Sequence, residues 1–195
     1  MTFSALLLAG GESRRMGRDK ATMDFDGQPL WKRQLKTLQT LDPEKIFVSA
    51  RTPPSWLPDE VGLLLDDPPS RGPISGLTKA LAAIATTHLV VLAADMPFMV
   101  AGELRYLLKL ATGGRGVVPI IEERAEPLAA IYPAQAAEDF QAAVAGHDFS
   151  LQPLVRRLVA ENKMTPYAVP DSRTHFYESV NEPGDLKEGR FETAL

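Results

Sequence analysis

Short apolar runs alternate along the chain with segments in which apolar residues recur at helical spacing. Continuous apolar runs are typical of strands that are covered on both faces, and spacings of three and four residues are typical of helices that pack on a sheet. Residues 89–94 form the most hydrophobic run, so we expect that strand at the centre of the sheet. The pattern predicts strands at 3–9, 45–50, 63–65, 89–94, 117–121, 128–132 and 167–169, and helices at 29–41, 77–84, 103–110, 136–144 and 151–158.

This order of elements predicts one α/β domain that spans residues 1–195. Strands that alternate with helices form a Rossmann-like, doubly wound, mainly parallel sheet with helices on both faces. The strands at 117–121 and 128–132 flank a polar turn and are interpreted as an antiparallel pair, and a short helix is expected after Pro183. The sequence contains no internal repeat or linker, and its proline-rich segments are short enough to be loops within that domain.

The composition excludes several classes of partner. A formal net charge of −4 gives no general basic field for nucleic acid or an anionic membrane, so an anionic ligand requires a local cluster of basic groups. No segment approaches the ~20 apolar residues of a membrane span. The apolar run near the N-terminus is followed by Arg14 and Arg15 and has no basic residue before it, unlike a secretory signal. The absence of cysteine excludes disulfides and is consistent with a reducing compartment, so we expect a cytoplasmic protein.

The first predicted strand ends in a segment, residues 8–20, that combines glycines with basic residues. In doubly wound folds, ligands bind at the carboxyl ends of the strands. Glycines let consecutive backbone N–H groups surround an anion, and arginine and lysine supply the charge that a triphosphate requires. The spacing fits neither the P-loop nor the G-x-G-x-x-G motif, and a glycine turn with solvated arginines is the alternative interpretation. The segment is Leu8-Ala-Gly-Gly-Glu-Ser-Arg-Arg-Met-Gly-Arg-Asp-Lys20.

The complete segment closely resembles the first motif of the MobA-like nucleotidyltransferases, whose type member is molybdenum cofactor guanylyltransferase. Further motifs of that family follow in the same order at 27–30, 72–76, 95–97, 127–132 and 150–152. Their sequences are Gly-Gln-Pro-Leu, Gly-Pro-Ile-Ser-Gly, Asp-Met-Pro, Pro-Leu-Ala-Ala-Ile-Tyr and Ser-Leu-Gln. The resemblance spans essentially the whole chain. It implies the nucleotide-diphospho-sugar transferase-like variant of the α/β fold and an activity of nucleotidyl transfer.

The resemblance also implies a site that is made from the first motif and three later segments. It assigns the triphosphate to Lys20 and Arg15 as catalytic residues, and it assigns a Mg²⁺ ion to Asp95. Asn181, near the C-terminus, is assigned to the acceptor. Nucleotide binding is assigned to Leu8, Ala9, Gly10, Gly11, Lys20, Asp67, Gly72 and Asp95.

The position of Asp95 in the chain is itself suited to a metal ligand. Asp95 follows the predicted central strand directly, so we expect its carboxylate to project towards the first motif. Mg²⁺ takes oxygen ligands, usually one or two carboxylates together with phosphates. The alternative role is a helix N-cap, but Pro97 and Phe98 stand between Asp95 and the next predicted helix.

Asp66 and Asp67 follow the third predicted strand and precede two prolines. By itself this pair favours a solvated turn. In the MobA-like family an aspartate shortly before the Gly-Pro-x-x-Gly segment lies at the nucleotide, and Asp67 is the nearer match. Gly72 and Gly76 of that segment would let the backbone pass close beside a base.

Nucleotidyl transfer to a phosphorylated acceptor needs no side-chain base, because a phosphate is already an anion at neutral pH and alignment with charge neutralisation suffices. The three histidines accordingly lie outside every motif. The resemblance implies transfer of GMP from GTP to molybdopterin with release of pyrophosphate, since Gly10 matches the guanylyl pattern Leu-Ala-Gly-Gly rather than the cytidylyl pattern Leu-Ala-Ala-Gly. It further implies transient contacts with proteins of cofactor biosynthesis or molybdoenzyme maturation.

Departures from the family pattern leave other functions open. The segment Val48-Ser-Ala-Arg51 lacks the asparagines that are usual there, and Ser179 and Glu182 replace an asparagine and a threonine around the retained Asn181. One alternative is a transferase that uses CTP or another phosphorylated small-molecule acceptor, such as a sugar or polyol phosphate. The other is a catalytically weak or inactive nucleotide-binding subunit.

Overall fold

The computed structural model describes residues 1–10, 20–146 and 149–180. Ten strands and five α-helices occur in this part of the chain. The strands are β1 Phe3–Leu8, β2 Asp24–Phe25, β3 Gln28–Pro29, β4 Ile46–Ala50, β5 Gly62–Leu65, β6 His88–Ala93, β7 Gly116–Ile121, β8 Arg124–Ala125, β9 Ala129–Pro133 and β10 Met164–Ala168. The helices are α1 Leu30–Gln39, α2 Pro73–Ala83, α3 Ala101–Leu110, α4 Ala137–Ala145 and α5 Leu151–Ala160, and 3₁₀ turns occur at Lys20–Thr22, Ala134–Ala136 and Asp171–Tyr177.

The main sheet has the strand order β10-β7-β9-β6-β1-β4-β5, and β8 pairs with β7 at its edge. β1 is parallel to both β4 and β6, β4 is parallel to β5, and β10 is parallel to β7. β9 lies between β6 and β7 and is antiparallel to both. The expected mainly parallel α/β sheet is therefore confirmed, and so is the antiparallel pair of strands on either side of the polar turn.

Successive residues of a strand point to opposite faces of the sheet, and helices cover both of these faces. Leu7 of β1 packs in a core with α1 and α3, whereas the adjacent Leu6 packs in a second core with α2, α4 and α5. α1 and α3 therefore lie on one face, and α2, α4 and α5 lie on the other. Every residue of β6 is buried, which confirms the expectation that this strand is central.

The order of the strands creates a crevice at the carboxyl end of β1. The chain adds β4 and then β5 on one side of β1, and it returns through α2 to place β6 on the other side. At such a switch point the loops after neighbouring strands diverge and leave room for a ligand. The topology alone thus predicts a ligand site at the ends of β1, β4 and β6.

Several short elements differ from the sequence prediction. The β2–β3 hairpin was not predicted, because two-residue strands carry no measurable periodicity; its turn residues Asp26 and Gly27 both have positive φ. β10 starts three residues before the predicted strand at 167–169, and Pro166 within it obscured the pattern. The helix that was expected after Pro183 lies outside the described residues. In the described part of the chain, no helix has the length and apolar character needed to cross a bilayer.

Candidate active site

A cavity of about 390 Å³ opens at the carboxyl ends of the parallel strands. This volume is within the usual range for small-molecule sites, which is about 300–1,000 Å³. The described part of its wall combines apolar strand ends with two carboxylates and two basic side chains. The lining residues are Leu8, Ala9, Gly10, Lys20, Ala21, Ser49, Arg51, Asp66, Ser70, Gly72, Pro73, Ala93, Ala94, Asp95 and Leu128.

The floor of this cavity is rigid because the sheet hydrogen bonding continues past the strand ends. The N–H of Ala9 donates to the carbonyl of Ser49 at 2.9 Å, and the N–H of Ala94 donates to the carbonyl of Leu8 at 3.0 Å. β1 is therefore fixed between β4 and β6 at the point where Gly10 enters the cavity wall.

Asp95 and Lys20 bring opposite charges together in the cavity. Oδ2 of Asp95 lies 3.9 Å from Nζ of Lys20, which is too long for a hydrogen bond, and the two side chains are 28% and 20% exposed. Lys20 starts a 3₁₀ turn whose Ala21 is buried, so the lysine is presented from an anchored segment. Burial raises the pKa of Asp95, and the positive charge of Lys20 only partly offsets this. The carboxylate is therefore a charge that further cations would stabilise.

These residues fit a Mg²⁺ ion that shares its ligands with a nucleotide. Within residues 1–10, 20–146 and 149–180 no group of three or more His, Cys, Asp or Glu side chains is placed to hold a metal. Mg²⁺ dehydrates reluctantly and is usually held by one or two carboxylates plus substrate phosphates and water. The partly buried carboxylate of Asp95, which borders the cavity with a lysine next to it, matches that kind of site rather than a complete protein cage.

Asp66 lines the cavity, whereas Asp67 does not. The Asp66 carboxylate accepts hydrogen bonds from the hydroxyls of Ser49 at 3.3 Å and Ser70 at 2.7 Å. Asp67 pairs with Nζ of Lys79 at 2.7 Å, its side chain is 85% exposed, and it borders a separate recess of about 190 Å³. Neighbouring residues of an extended chain point to opposite sides, so only one of the two aspartates can face the cavity. Asp66 thus lines the cavity in place of the expected Asp67, and the role of either residue in nucleotide binding stays a prediction.

Backbone conformation explains the glycine at position 72, and lack of space explains the glycine at position 76. Gly72 has φ +78°, a backbone conformation that favours glycine, and a side chain at Gly76 would collide with Ser49, its Cβ lying 2.2 Å from Oγ. Gly10 has no such requirement, because its φ is not positive and an added Cβ would make ordinary contacts of 3.6 Å or more with Ala50. Among the described residues, none therefore prevents a side chain at Gly10.

The structure brings together most of the residues that the sequence singled out: Leu8, Ala9, Gly10, Lys20, Gly72 and Asp95 all line the cavity. Gly11, Arg15 and Asn181 lie outside the described residues. The prediction missed Ser49 and Arg51 as lining residues, although the strand-end rule applied to β4 would have identified them. It also missed Leu128, which enters from the start of the antiparallel strand β9, where no such rule applies.

A doubly wound sheet with a cavity at its switch point, lined by a lysine, a metal-suited carboxylate and the glycine end of β1, defines a nucleotide-binding α/β protein. The family model described as the MobA-like NTP transferase domain matches residues 5–164. The chain belongs to this family and is a nucleotidyltransferase, which confirms the resemblance that its motifs indicated.

Curated relatives and solved structures agree with this assignment. The chain is 34% identical to a probable molybdenum cofactor guanylyltransferase from Opitutus terrae, with 92% of this chain and 90% of the relative covered. It is 30% identical to a protein of the same description from Natronomonas pharaonis, with 96% of each covered. The structure of molybdopterin-guanine dinucleotide biosynthesis protein A from Archaeoglobus fulgidus superimposes with a TM-score of 0.77 at 23% identity, with 94% of each chain covered. The structure of 4-diphosphocytidyl-2C-methyl-D-erythritol synthase from Anaerococcus prevotii superimposes with a TM-score of 0.71 at 10% identity, with 95% of this chain and 92% of that chain covered. These structures support the shared fold.

Proposed function

We propose that this chain transfers GMP from GTP to molybdopterin and releases pyrophosphate. The observation that carries the proposal is that Lys20 and Asp95 lie 3.9 Å apart beside the end of β1, next to Gly10, where the described residues leave room for a side chain. The curated relatives, which carry the description of molybdenum cofactor guanylyltransferase, support the choice of nucleotide and acceptor. The acceptor residue of the proposal, Asn181, lies outside the described residues.

In the proposed reaction an oxygen of the acceptor phosphate attacks the α-phosphorus of GTP. A new P–O bond forms, the bond from the α-phosphorus to the bridging oxygen of the β-phosphate breaks, and pyrophosphate leaves with that electron pair. Lys20 and, from the sequence, Gly11 and Arg15 hold the triphosphate, and Asp95 is the residue that would hold Mg²⁺. The bound ion would supply charge neutralisation at the phosphates. No side chain is required as a base, because the attacking phosphate is already ionised.

We assign the guanine base to the side of the cavity that contains Asp66. The Watson–Crick edge of guanine presents two adjacent N–H donors, and an ionised carboxylate offers acceptors only. Two serine hydroxyls orient the Asp66 carboxylate and use part of its capacity, so lone pairs are left for a ligand. Cytosine and uracil do not present two adjacent donors, so this arrangement favours GTP. Gly10 follows β1, two strands away from β5, and lines the same cavity without a side chain.

The proposal also includes a cytoplasmic location and transient contacts with the proteins that supply molybdopterin or receive the product. The proposed reaction supports both, since it consumes a diffusible cofactor and produces another. Fractionation of cells that express the full chain, followed by crosslinking, tests the two statements together. Recovery of the chain in a membrane fraction would contradict the first of them.

Pyrophosphate release tests the function directly. We expect release with GTP, Mg²⁺ and molybdopterin together, and none when molybdopterin is left out. Asp66→Asn should raise KM for GTP by about tenfold, as expected for the loss of a charged hydrogen-bond acceptor, while the matched variant Asp67→Asn keeps the wild-type value. Release with CTP, or with a sugar phosphate in place of molybdopterin, would indicate a different transferase. Tight GTP binding without release on any acceptor would indicate a nucleotide-binding subunit.

A further inference from the structure

The loop that carries Asp95 is held by donors from two distant segments. The carbonyl of Asp95 accepts from the N–H of Val180 at 2.7 Å. The next carbonyl, of Met96, accepts from Nε2 of Gln34 at 2.6 Å, and that of Pro97 accepts from Nε of Arg33 at 2.7 Å. Three consecutive carbonyls are thus fixed from outside the loop, and two of these bonds come from adjacent side chains of α1.

Gln34 is an unusual residue for its position in α1. Its side chain is completely buried on the apolar face of the helix, between residues such as Leu30 and Leu38. Its Oε1 has no hydrogen-bond partner in the described part of the chain, although its amide nitrogen is bonded to Met96. A buried polar atom without a partner costs free energy, and an apolar side chain at this place would avoid the cost. The hydrogen bond from Gln34 to Met96 therefore comes with a cost in stability that an apolar side chain would not have.

The same helix is also tied to Lys20. The N–H of Met23 donates to the carbonyl of Lys20 at 3.0 Å, and the N–H of Leu30, at the start of α1, donates to the carbonyl of Met23 at 2.9 Å. α1 is consequently connected to the lysine at its N-terminal end and to the Asp95 loop through Gln34. A rigid helix with both connections sets the spacing between the two charged groups of the site.

We propose that Gln34, together with Arg33, is a positioning residue that holds Asp95 in register with Lys20 for the metal–nucleotide complex. The inference rests on the proposed function, since it takes Asp95 as the metal ligand. Groups that orient a metal ligand without touching the metal commonly affect its affinity, because a misplaced ligand must be reordered on binding. Gln34→Met removes the bond to Met96 and the unpaired oxygen together. The carbonyl of Met96 still accepts from the N–H of Met99 at 3.1 Å, so we expect the fold to survive.

Binding of Mn²⁺, followed by electron paramagnetic resonance, tests the proposal without turnover. The protein is first saturated with a GTP analogue that has a methylene bridge between its α- and β-phosphates. Gln34→Met should weaken Mn²⁺ binding about tenfold and leave the affinity for the analogue in the absence of metal unchanged. Gln39→Met, the same change at an exposed position of α1, should keep the wild-type Mn²⁺ affinity.

A second pair of variants covers the outcome in which Gln34→Met does not fold. Arg33→Met removes the donor to Pro97 from a half-buried position, and Lys36→Met is its exposed control on the same helix. Wild-type Mn²⁺ affinity in every folded variant of Gln34 and Arg33 would overturn the positioning role. Asp95→Asn separates the two hypotheses. If it abolishes Mn²⁺ binding while the α1 variants do not, only the positioning role fails, and if it binds Mn²⁺ normally, the metal assignment of the proposed function fails.

Discussion

Asp95 and Glu103 are carboxylates on either side of the turn between β6 and α3, and their surroundings are opposite. Glu103 is completely buried, forms an ion pair with Arg173 and accepts a hydrogen bond from the hydroxyl of Tyr177 at 2.7 Å. Asp95 borders the cavity, is partly exposed, and lies 3.9 Å from its cationic neighbour Lys20. The protein provides Glu103 with close partners. At Asp95 the positive charge of Lys20 offsets the effect of burial only in part.

The difference supports the proposal that Glu103 serves the structure and that Asp95 serves a ligand. Burial, followed by the hydrogen bond to Glu103, raises the pKa of Tyr177, so this phenol remains a donor at all physiological pH values. The guanidinium of Arg173 also stacks on the ring of Tyr106, with 4.3 Å from Cζ to the centroid. A buried charge with this set of partners fixes the segment 171–177 to α3. Asp95 has no comparable set of partners among residues 1–10, 20–146 and 149–180, and burial raises its pKa.

The two carboxylates are also connected through the chain. The 3₁₀ turn Asp171–Tyr177, which Glu103 holds, continues to Val180, and the N–H of Val180 donates to the carbonyl of Asp95. The structural cluster thus supports the backbone of the site carboxylate. Substitutions at the two positions should separate activity from stability.

The largest effect is expected for Asp95→Asn. Loss of the proposed metal ligand should lower kcat/KM for pyrophosphate release by about 10³-fold, or about 4 kcal/mol of transition-state stabilisation. The apo protein should nevertheless melt at a higher temperature at pH 7, because a carboxyl with a raised pKa in the folded state costs stability in its charged form, and an amide has no such cost. Differential scanning fluorimetry and a coupled pyrophosphate assay measure the two effects. Near-normal turnover would contradict the assignment.

Glu103→Ala should show the reverse behaviour. Removal of one partner from a buried ion pair typically lowers the free energy of unfolding by about 3–5 kcal/mol. The protein that remains folded should keep its turnover within about tenfold of wild type, since this carboxylate takes no part in the reaction. Urea unfolding and activity at a temperature below the transition measure the two quantities. Glu103→Gln is the matched control: it retains an acceptor for Tyr177 and should cost less than Glu103→Ala. A variant that keeps its stability but loses activity would mean that the comparison is wrong.

The parts of the molecule that were predictable from the sequence are those that local patterns determine. β6 was recognised because an unbroken apolar run is itself the consequence of burial on both faces, and Asp95 was located because it directly follows that run. The rule that ligands bind at strand ends then placed Gly10 and Lys20 in the same site. None of these inferences needed a distant contact.

The features that were not predicted depend on contacts between residues far apart in the chain, or on which of two adjacent side chains at the end of a strand faces the cavity. Gln34 reaches a carbonyl 62 positions away, and Glu103 meets a tyrosine 74 positions away, so neither sequence neighbourhood contains its partner. Asp66 and Asp67 are adjacent residues of the same type, and only the orientation of the chain after β5 decides which of them faces the cavity. The need for glycine at Gly76 likewise arises from the approach of Ser49 on another strand.

The smallest effect, a change in the pH dependence of stability, is expected for His88, at the opposite end of β6 from Asp95. His88 is buried there, with Nδ1 2.9 Å from the hydroxyl of Thr87 and Nε2 3.3 Å from the carbonyl of Arg115. Burial lowers the pKa of His88 by more than the hydrogen bond to Arg115 raises it. Like Asp95, it is a group whose charged form the fold disfavours, but the consequence for stability against pH has the opposite sign.

Below the ordinary histidine pKa of about 6.5, the unfolded chain binds a proton that the folded protein does not. The contribution of His88 to stability should therefore be complete above that pH and fall as the pH decreases towards the lowered folded pKa, by at most about 1.4 kcal/mol per pH unit. Protonation of Asp95 should stabilise the folded state over the acidic range, so the two ends of β6 partly cancel. Urea unfolding between pH 7 and pH 5 in an Asp95→Asn background removes the contribution of Asp95, and the further change His88→Gln should reduce the loss of stability towards pH 5. Equal slopes with and without His88 would show that another group is responsible for it.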